Sequence, residues 1–340
     1  MKTWEYIVRR LLLLIPVLIG VTIITFVISH VIPADPAIAF AGGPKAQPET
    51  IERIREELHL NEPLIIQYFY YLNDLIHLDF GKSYLESRPV SDSISQYFPA
   101  TFELTIFAML ISVPLGILGG IISAIRRNKL SDHITRIIAI LGYSMPIFWL
   151  ALMLQYLLAY QFPILPLEGR LSIGLVAPQS ITGLYVLDSI LTGNINTLSA
   201  SLYHLILPSF TLGFATMALL LRMTRSSMLE VMGMDYVRTA RAKGLSERVV
   251  IIKHALRNAL IPTITVSGLQ FGALLGGAVL TESIFNWPGM GRFAANAVLG
   301  LDFNSVMGFT IIVAIIYVIA NLIVDLLYAI IDPRVRLGGE

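Results

Sequence analysis

The chain has 340 residues, of which 55% are hydrophobic and only 14% charged, and its mean hydropathy is +0.72. Soluble domains carry about 25% charged residues, so a soluble domain is excluded unless the apolar residues are scattered, and they are not. The net charge of +1 identifies no partner, and the absence of cysteine excludes disulfides, thiolate metal sites and cysteine nucleophiles.

Crossing the hydrocarbon of a bilayer takes about 20 apolar residues as helix. Six stretches qualify, roughly 11–32, 101–125, 135–160, 204–224, 259–281 and 305–330. The first follows Lys2, Arg9 and Arg10 but is longer than the roughly 7–15 apolar residues of a secretory signal. It is read as a retained span, with a cytoplasmic tail, over 1–32.

An extracytoplasmic segment follows over 33–100, opened by Pro33 and Pro36. In it, PETIERIREELHL repeats Ile51, Ile54 and Leu58 at helical spacing, with Glu49–Arg53 and Arg53–Glu57 four apart, which predicts a short amphipathic helix. Tyr68, Phe69, Tyr70 and Tyr71 then cluster in a stretch predicted to be an interfacial helix capping the bundle.

Residues 101–330 form a core of five further spans. Gly116 and Gly120, like Gly272 and Gly276, stand four apart, a spacing that lets helix backbones approach closely. Pro16, Pro114, Pro146, Pro208 and Pro262 each remove a backbone donor and permit a bend. The loop over 161–203 is rich in Pro, Gly and Ser. Gln155, Tyr156, Gln270 and Asn321 are polar or amphipathic positions inside spans, explained at least as well by packing hydrogen bonds as by substrate contact.

Orientation follows from Lys and Arg. With the N-terminus inside, cytoplasmic segments, including the tail at 331–340, hold 17 of them and the opposite side 7, five of the latter in the long segment 33–100. Long translocated segments weigh little in this rule. The predicted fold is an all-α integral membrane protein of six transmembrane helices with both termini cytoplasmic.

No catalytic constellation emerges. The six histidines share no helical face, HExxH and GxxxxGK[ST] are absent, and GYSM lacks the second glycine of a nucleophile elbow around Ser144. An ion-coupled carrier buries ionisable groups near mid-bilayer. Here the spans hold Glu103 and Arg222 near their ends, and Asp325, which is expected to pair with a neighbour such as Arg334. Energy for uphill transport must therefore come from another subunit.

The basic loop over 226–258 carries an ordered pattern. In YVRTARAKGLSERVVIIKHALRNALIP, Tyr236, Val237 and Ala240 share one helical face, and Arg241 and Lys243 lie in the last turn, where a helix favours cations. Gly244 stands where a left-handed residue ends a helix, Ser246 is placed to cap a second one, and Glu247 lies in its first turn. Val249, Ile252, Ala255 and Leu256 predict its apolar stripe. Positive-inside topology or a lipid surface accounts for the charges alone; a protein-docking element also accounts for the capped two-helix pattern.

This segment resembles the cytoplasmic EAA loop of binding-protein-dependent ABC importer permeases, whose pattern is EAA-x3-G-x9-I-x-L-P. Gly244 matches the glycine, Ala240 the second alanine and Leu256 the leucine, while Arg238, Thr239, His254 and Arg257 depart from the pattern. The loop is closer to the form found in the peptide-type branch. RRLLLLIPVLIGVTIITFVI, DFGKSYLESRPVSDSISQYFPATFELT, IFNWPGMGRFAANAV and AIIDPRVR extend the likeness to that branch's B-type permease subunit over nearly the whole chain.

The resemblance implies a type I ABC importer permease fold and a non-catalytic subunit with no cofactor of its own. ATP and Mg would be bound by two cytoplasmic ATPase subunits. The other implied partners are a second homologous permease, an extracytoplasmic substrate-binding protein and the lipid bilayer, with no nucleic acid, in the plasma (inner) membrane of a prokaryote. The coupling residues it implies are Tyr236, Arg238, Thr239, Ala240, Arg241, Lys243, Gly244, Leu245, Ser246 and Val249. Leu245 with its apolar neighbours would make the buried contact, and Arg241, Lys243 and Arg248 a polar rim. The expected cargo is a di- or oligopeptide; oligosaccharides, glutathione or nickel chelates are the alternatives, and an ion-coupled secondary transporter is a weaker one.

Overall fold

The computed structural model describes residues 15–27, 37–38, 45–57, 59–276 and 278–331, together with Leu12 and Ala41, and side chains of the last helix up to Ile323. The first described helix is α1 (Ile15–Val27), inside the span expected at 11–32. Helices α2 (Pro48–Glu57) and α3 (Leu64–Ile76) follow. The ion pair formed within α2 is Arg55–Glu52, at 3.2 Å, rather than either pair expected of Arg53. The aromatic face of α3 closes on α1: Tyr68 meets Phe26 edge-on at 5.3 Å, Tyr71 stacks on it at 5.9 Å, and the Tyr68 and Thr22 hydroxyls lie 2.9 Å apart.

A hairpin of two-residue strands, β1 (Lys82–Ser83) and β2 (Arg88–Pro89), departs from the all-α expectation. It leads into α4 (Val90–Ile125). Next come α5 (Leu130–Ser144) and α6 (Ile147–Gln155), the latter running into a π-helical turn over Tyr156–Gln161. Then follow α7 (Tyr185–Leu191), α8 (Ile195–Met232), α9 (Asp235–Ala242) and α10 (Glu247–Leu275), which contains a π-helical turn over Val250–Ala255. The chain closes with α11 (Val279–Ile284), α12 (Met290–Leu299) and α13 (Phe303–Ile331).

Four described helices, α4, α8, α10 and α13, are long and apolar enough to cross a membrane. The span expected over 135–160 is not a single rod, because α5 and α6 meet at 107°. The cause is Pro146: a residue before proline is driven out of the helical region, and Met145 is extended, with φ −80° and ψ 128°. The expected ion pair of Asp325 with Arg334 lies outside the described residues.

Helix α8 is the hub, packed most extensively on α4 and also touching α5, α6 and α10. The spacing of Gly116 and Gly120 is what allows α4 and α8 to run side by side. A Cβ at Gly116 would lie 2.8 Å from Leu220 Cβ, and one at Gly120 would lie 2.5 Å from Thr224 Cβ. No larger residue fits that separation. Helix α10 meets α13 by the same device, with Gly272 against Ala320. Of the polar span residues, Gln155 donates to the carbonyls of Leu167 (2.9 Å) and Ile284 (3.3 Å), and Tyr156 stacks on Tyr160. Gln270 accepts from Thr216 at 3.5 Å, while the Asn321 amide oxygen is buried without a hydrogen-bond partner among the described residues. Gln155 thus serves as a packing bond.

Candidate functional site

Helix α8 ends at Met232, and the chain turns through Gly233 and the extended Met234 into α9. Val237 and Ala240 point inward and are buried with Met228, Val231 and Ala124, so α9 lies against the ends of α8 and α4. Tyr236, expected on the same face, is instead at its edge: its hydroxyl accepts from Asn258 Nδ2 at 2.8 Å, tying α9 to α10.

The turn forms where the sequence places it. Gly244 has φ +76°, and its N–H donates to the Arg241 carbonyl at 2.9 Å. Left-handed backbone is costly for residues with a Cβ, which explains glycine there. Ser246 occupies the N-cap position with φ −60° and ψ 144°, but its hydroxyl makes no capping bond. Across the turn, Arg241 grips Glu247 with two bonds, Nη2 to Oε1 at 2.7 Å and Nε to Oε2 at 3.1 Å. An exposed pair of this kind contributes about 0–1 kcal/mol; its effect here is to hold the two helix ends in one geometry.

The apolar stripe of α10 departs from the expectation. Val250, Ala255 and Ala259 are fully buried, whereas Val249 and Ile252 are exposed. The π-helical turn over Val250–Ala255 is the reason, since its i→i+5 bonding rotates the helix relative to an α-helical count. The predicted positions Val249 and Ile252 therefore face outward. Leu245, Val249, Tyr236 and Ile252 form exposed apolar surface around the turn, beside the exposed Arg238, Lys243 and Arg248. Thr239 is exposed too, its hydroxyl bonded to the Asp235 carbonyl at 2.9 Å.

Directly behind this elbow is a charge cluster that sequence reasoning missed. Asp132, in the first turn of α5, is fully buried. Arg225 of α8 binds both its oxygens, Nε to Oδ1 at 2.9 Å and Nη2 to Oδ2 at 3.1 Å. Ser123 of α4 donates to Oδ1 at 2.6 Å, and the Asn128 amide donates to Oδ2 at 2.9 Å. The only sequence signal was an acid inside a basic corner.

The opposite end of the bundle is locked by other buried charges. Glu103 accepts from Arg170 Nη2 at 2.6 Å and from the Val186 amide at 2.8 Å, while the Arg170 guanidinium lies over the Tyr185 ring at 3.5 Å. Glu282 is fully buried; it accepts from the Thr101 hydroxyl at 2.6 Å and the Arg292 amide at 2.9 Å. Burial pushes its carboxyl above the ordinary range, outweighing these bonds. Gly289 makes room for it, because a Cβ there would lie 2.5 Å from Glu282 Cδ. Trp287 Nε1 donates to the Ala100 carbonyl at 2.9 Å beside this knot.

Long apolar helices, a broken span and an exposed basic elbow at one end define a multi-pass membrane protein. Residues 116–337 match the binding-protein-dependent transport system inner membrane component family, and residues 3–105 match the N-terminal part of such membrane components. The chain belongs to this family. It is 50% identical over 335 residues to the dipeptide transport system permease protein DppB of Alkalihalophilus pseudofirmus, covering 97% of this chain and 99% of that protein. It is 47% identical to the probable D,D-dipeptide transport system permease protein DdpB of Escherichia coli K12, covering 100% and 99%. Similarity to the glutathione transport system permease protein GsiC of the same strain is 39%, covering 98% and 99%.

Proposed function

We propose that this chain is a permease subunit of an ATP-driven, binding-protein-dependent importer of di- or oligopeptides. Near-full-length similarity to dipeptide permeases supports the peptide cargo, with the glutathione permease more distant. In this reading the chain has six spans with both termini in the cytoplasm, forms the path with a second permease, and receives cargo from an extracytoplasmic binding protein. It performs no chemistry itself; ATP and Mg are bound by two partner ATPases.

The observation that carries the coupling role is the elbow itself. It leaves Leu245 and Val249 exposed between cations, while Val237, Ala240 and Val250 anchor it to the bundle. Water-exposed leucine and valine on a rigid turn suit the apolar centre of a protein contact, and the surrounding charges suit its rim. Arg238, Thr239, Arg241, Lys243, Gly244 and Ser246 complete that surface, with Tyr236 bracing it.

The chain has no cysteine, so Leu245→Cys provides a unique cross-linking handle. In the assembled complex it is expected to cross-link to an ATPase subunit, with a yield that changes on ATP binding. Proteoliposomes holding the complex should take up dipeptide only with ATP inside the reach of the ATPases and with binding protein present. Uptake by the permease alone on an ion gradient would refute the proposal.

A further inference from the structure

We infer that Asp132 is a positioning residue for import: it fastens the α4–α5 corner to α8, so that the elbow moves both long helices together. The inference rests on the elbow being the ATPase contact.

The geometry supports transmission rather than mere filling. The Asp132 carboxylate accepts hydrogen bonds from three places, Ser123 on α4, the Asn128 amide in the corner and Arg225 on α8, and Arg136 of its own helix α5 lies at 3.7 Å as a second, longer ion pair. Arg225 Nε also bonds Ser123 Oγ at 3.0 Å, closing a triangle. Asn128 turns the corner with φ +63°, a left-handed conformation that asparagine accepts. Next to Ser123, Ala124 packs in the same cluster as Val237 and Ala240 of α9. Thus one face of the α4 terminus touches the elbow while the other is gripped by Asp132. A buried ion pair is weak evidence for stability, since well-packed apolar residues often serve as well. It differs from an apolar contact in being directional: helices joined by bidentate bonds cannot slide past each other without breaking them.

A purely structural role and a transmission role separate in one measurement, the peptide transported per ATP hydrolysed. Asp132→Asn keeps the size and a bond to Ser123 but loses the charge that holds Arg225. Arg225→Lys keeps the charge but loses the two-bond grip. In complexes that purify with their ATPases, both variants are expected to transport about tenfold less peptide per ATP, the change that about 1.4 kcal/mol of lost coupling produces. Asp132→Leu combined with Arg225→Met restores packing without direction and should not recover the ratio.

An unchanged ratio in both single variants overturns the inference. So does recovery in the apolar double variant, or failure of both single variants to assemble, each of which assigns the pair to folding alone. The Leu245→Cys cross-link keeps the two readings apart: if it fails with Asp132 intact, the elbow assignment fails. If it persists in Asp132→Asn and the ratio is normal, only the role of Asp132 fails.

Discussion

The turn at Gly244 provides the sharpest test of the elbow, because its demands on sequence can be separated. Its φ of +76° lies in the left-handed region, yet a Cβ there would meet nothing within 4 Å. Gly244→Ala therefore suffers backbone strain alone, about 1–2 kcal/mol. Burial of Val237, Ala240 and Val250 and the Arg241–Glu247 grip oppose that strain, so Gly244→Ala should keep the elbow and most uptake. Asparagine visits the left-handed region more readily, and Gly244→Asn should match the wild type. Proline fixes φ near −65° and has no N–H. Gly244→Pro thus forbids the observed φ and also removes the bond to the Arg241 carbonyl. About 3 kcal/mol or more is lost from the native turn in that variant, which lowers the ratio of native to opened turn by a factor of more than about 100. Uptake of radiolabelled dipeptide and ATPase stimulation by loaded binding protein should both rank glycine and asparagine first, alanine slightly below and proline near background. Immunoblotting of washed membranes should show equal insertion. Normal uptake and normal stimulation in Gly244→Pro would sink the coupling assignment, and so would a Gly244→Asn variant as poor as proline.

Three further outcomes follow from contacts elsewhere. Gly120→Leu drives a side chain into Thr224 Cβ and the Leu221 carbonyl, and overpacking of that kind costs about 1–3 kcal/mol or more. Detergent-solubilised protein should melt earlier, whereas Gly20→Ala, a helical position with no described atom within 4 Å of its Cβ, should melt no earlier than the wild type. Arg170→Ala strands Glu103, which is 3% exposed. Breaking a buried pair costs about 3–5 kcal/mol, so its melting temperature should drop more than that of Glu103→Gln with Arg170→Met, and the reverse order would refute the pairing. Glu282 has its folded-state pKa raised by burial. Its contribution is fully present below the unfolded-state value and is lost as pH rises through the folded one. Melting curves of Glu282→Gln should therefore decline less with rising pH than those of wild type, and identical slopes would refute the assignment.

What the sequence made legible is what is local. The helix, glycine turn and helix of the elbow follow from Gly244, the polar cap position and short-range periodicity, and all appear at those positions. The face of α10 does not follow, because a π-helical turn is selected by how Val250 and Ala255 seat against α8 and α9, not by their own preferences. Hydropathy sums across 135–160 have no direction in them, so they pass over the 107° bend that Pro146 marks. Glycine spacing signals close approach but cannot name the partner; α8 emerges only from packing. Glu103 reads as the end of a span because Arg170 is 67 residues away in sequence. Asp132 was hidden similarly, since Arg225 lies 93 residues distant.

The distribution of charge in the fold bears on where energy enters. Moving an ionisable group through hydrocarbon is costly, and the described spans respect that cost. Glu103 and Arg170, or Asp132 and Arg225, neutralise each other near helix ends. Groups paired in this way stay put; they have no free partner to exchange with a travelling proton or ion. Both ends carry exposed aliphatic residues, Ile173, Val176 and Leu299 at one and Leu245, Val249 and Ile252 at the other; what sets the elbow apart is the cations around it. At the end holding Glu103 and Glu282, the carboxylates are sealed by tryptophan, arginine and backbone amides. At the other end, Asp132 is sealed too, but the elbow beyond it leaves Leu245, Val249 and Ile252 uncovered amid cations. Exposed aliphatic side chains gain about 25 cal/mol for each Å² that a partner covers. Under the proposed coupling role, that uncovered turn is the surface a partner ATPase would grip.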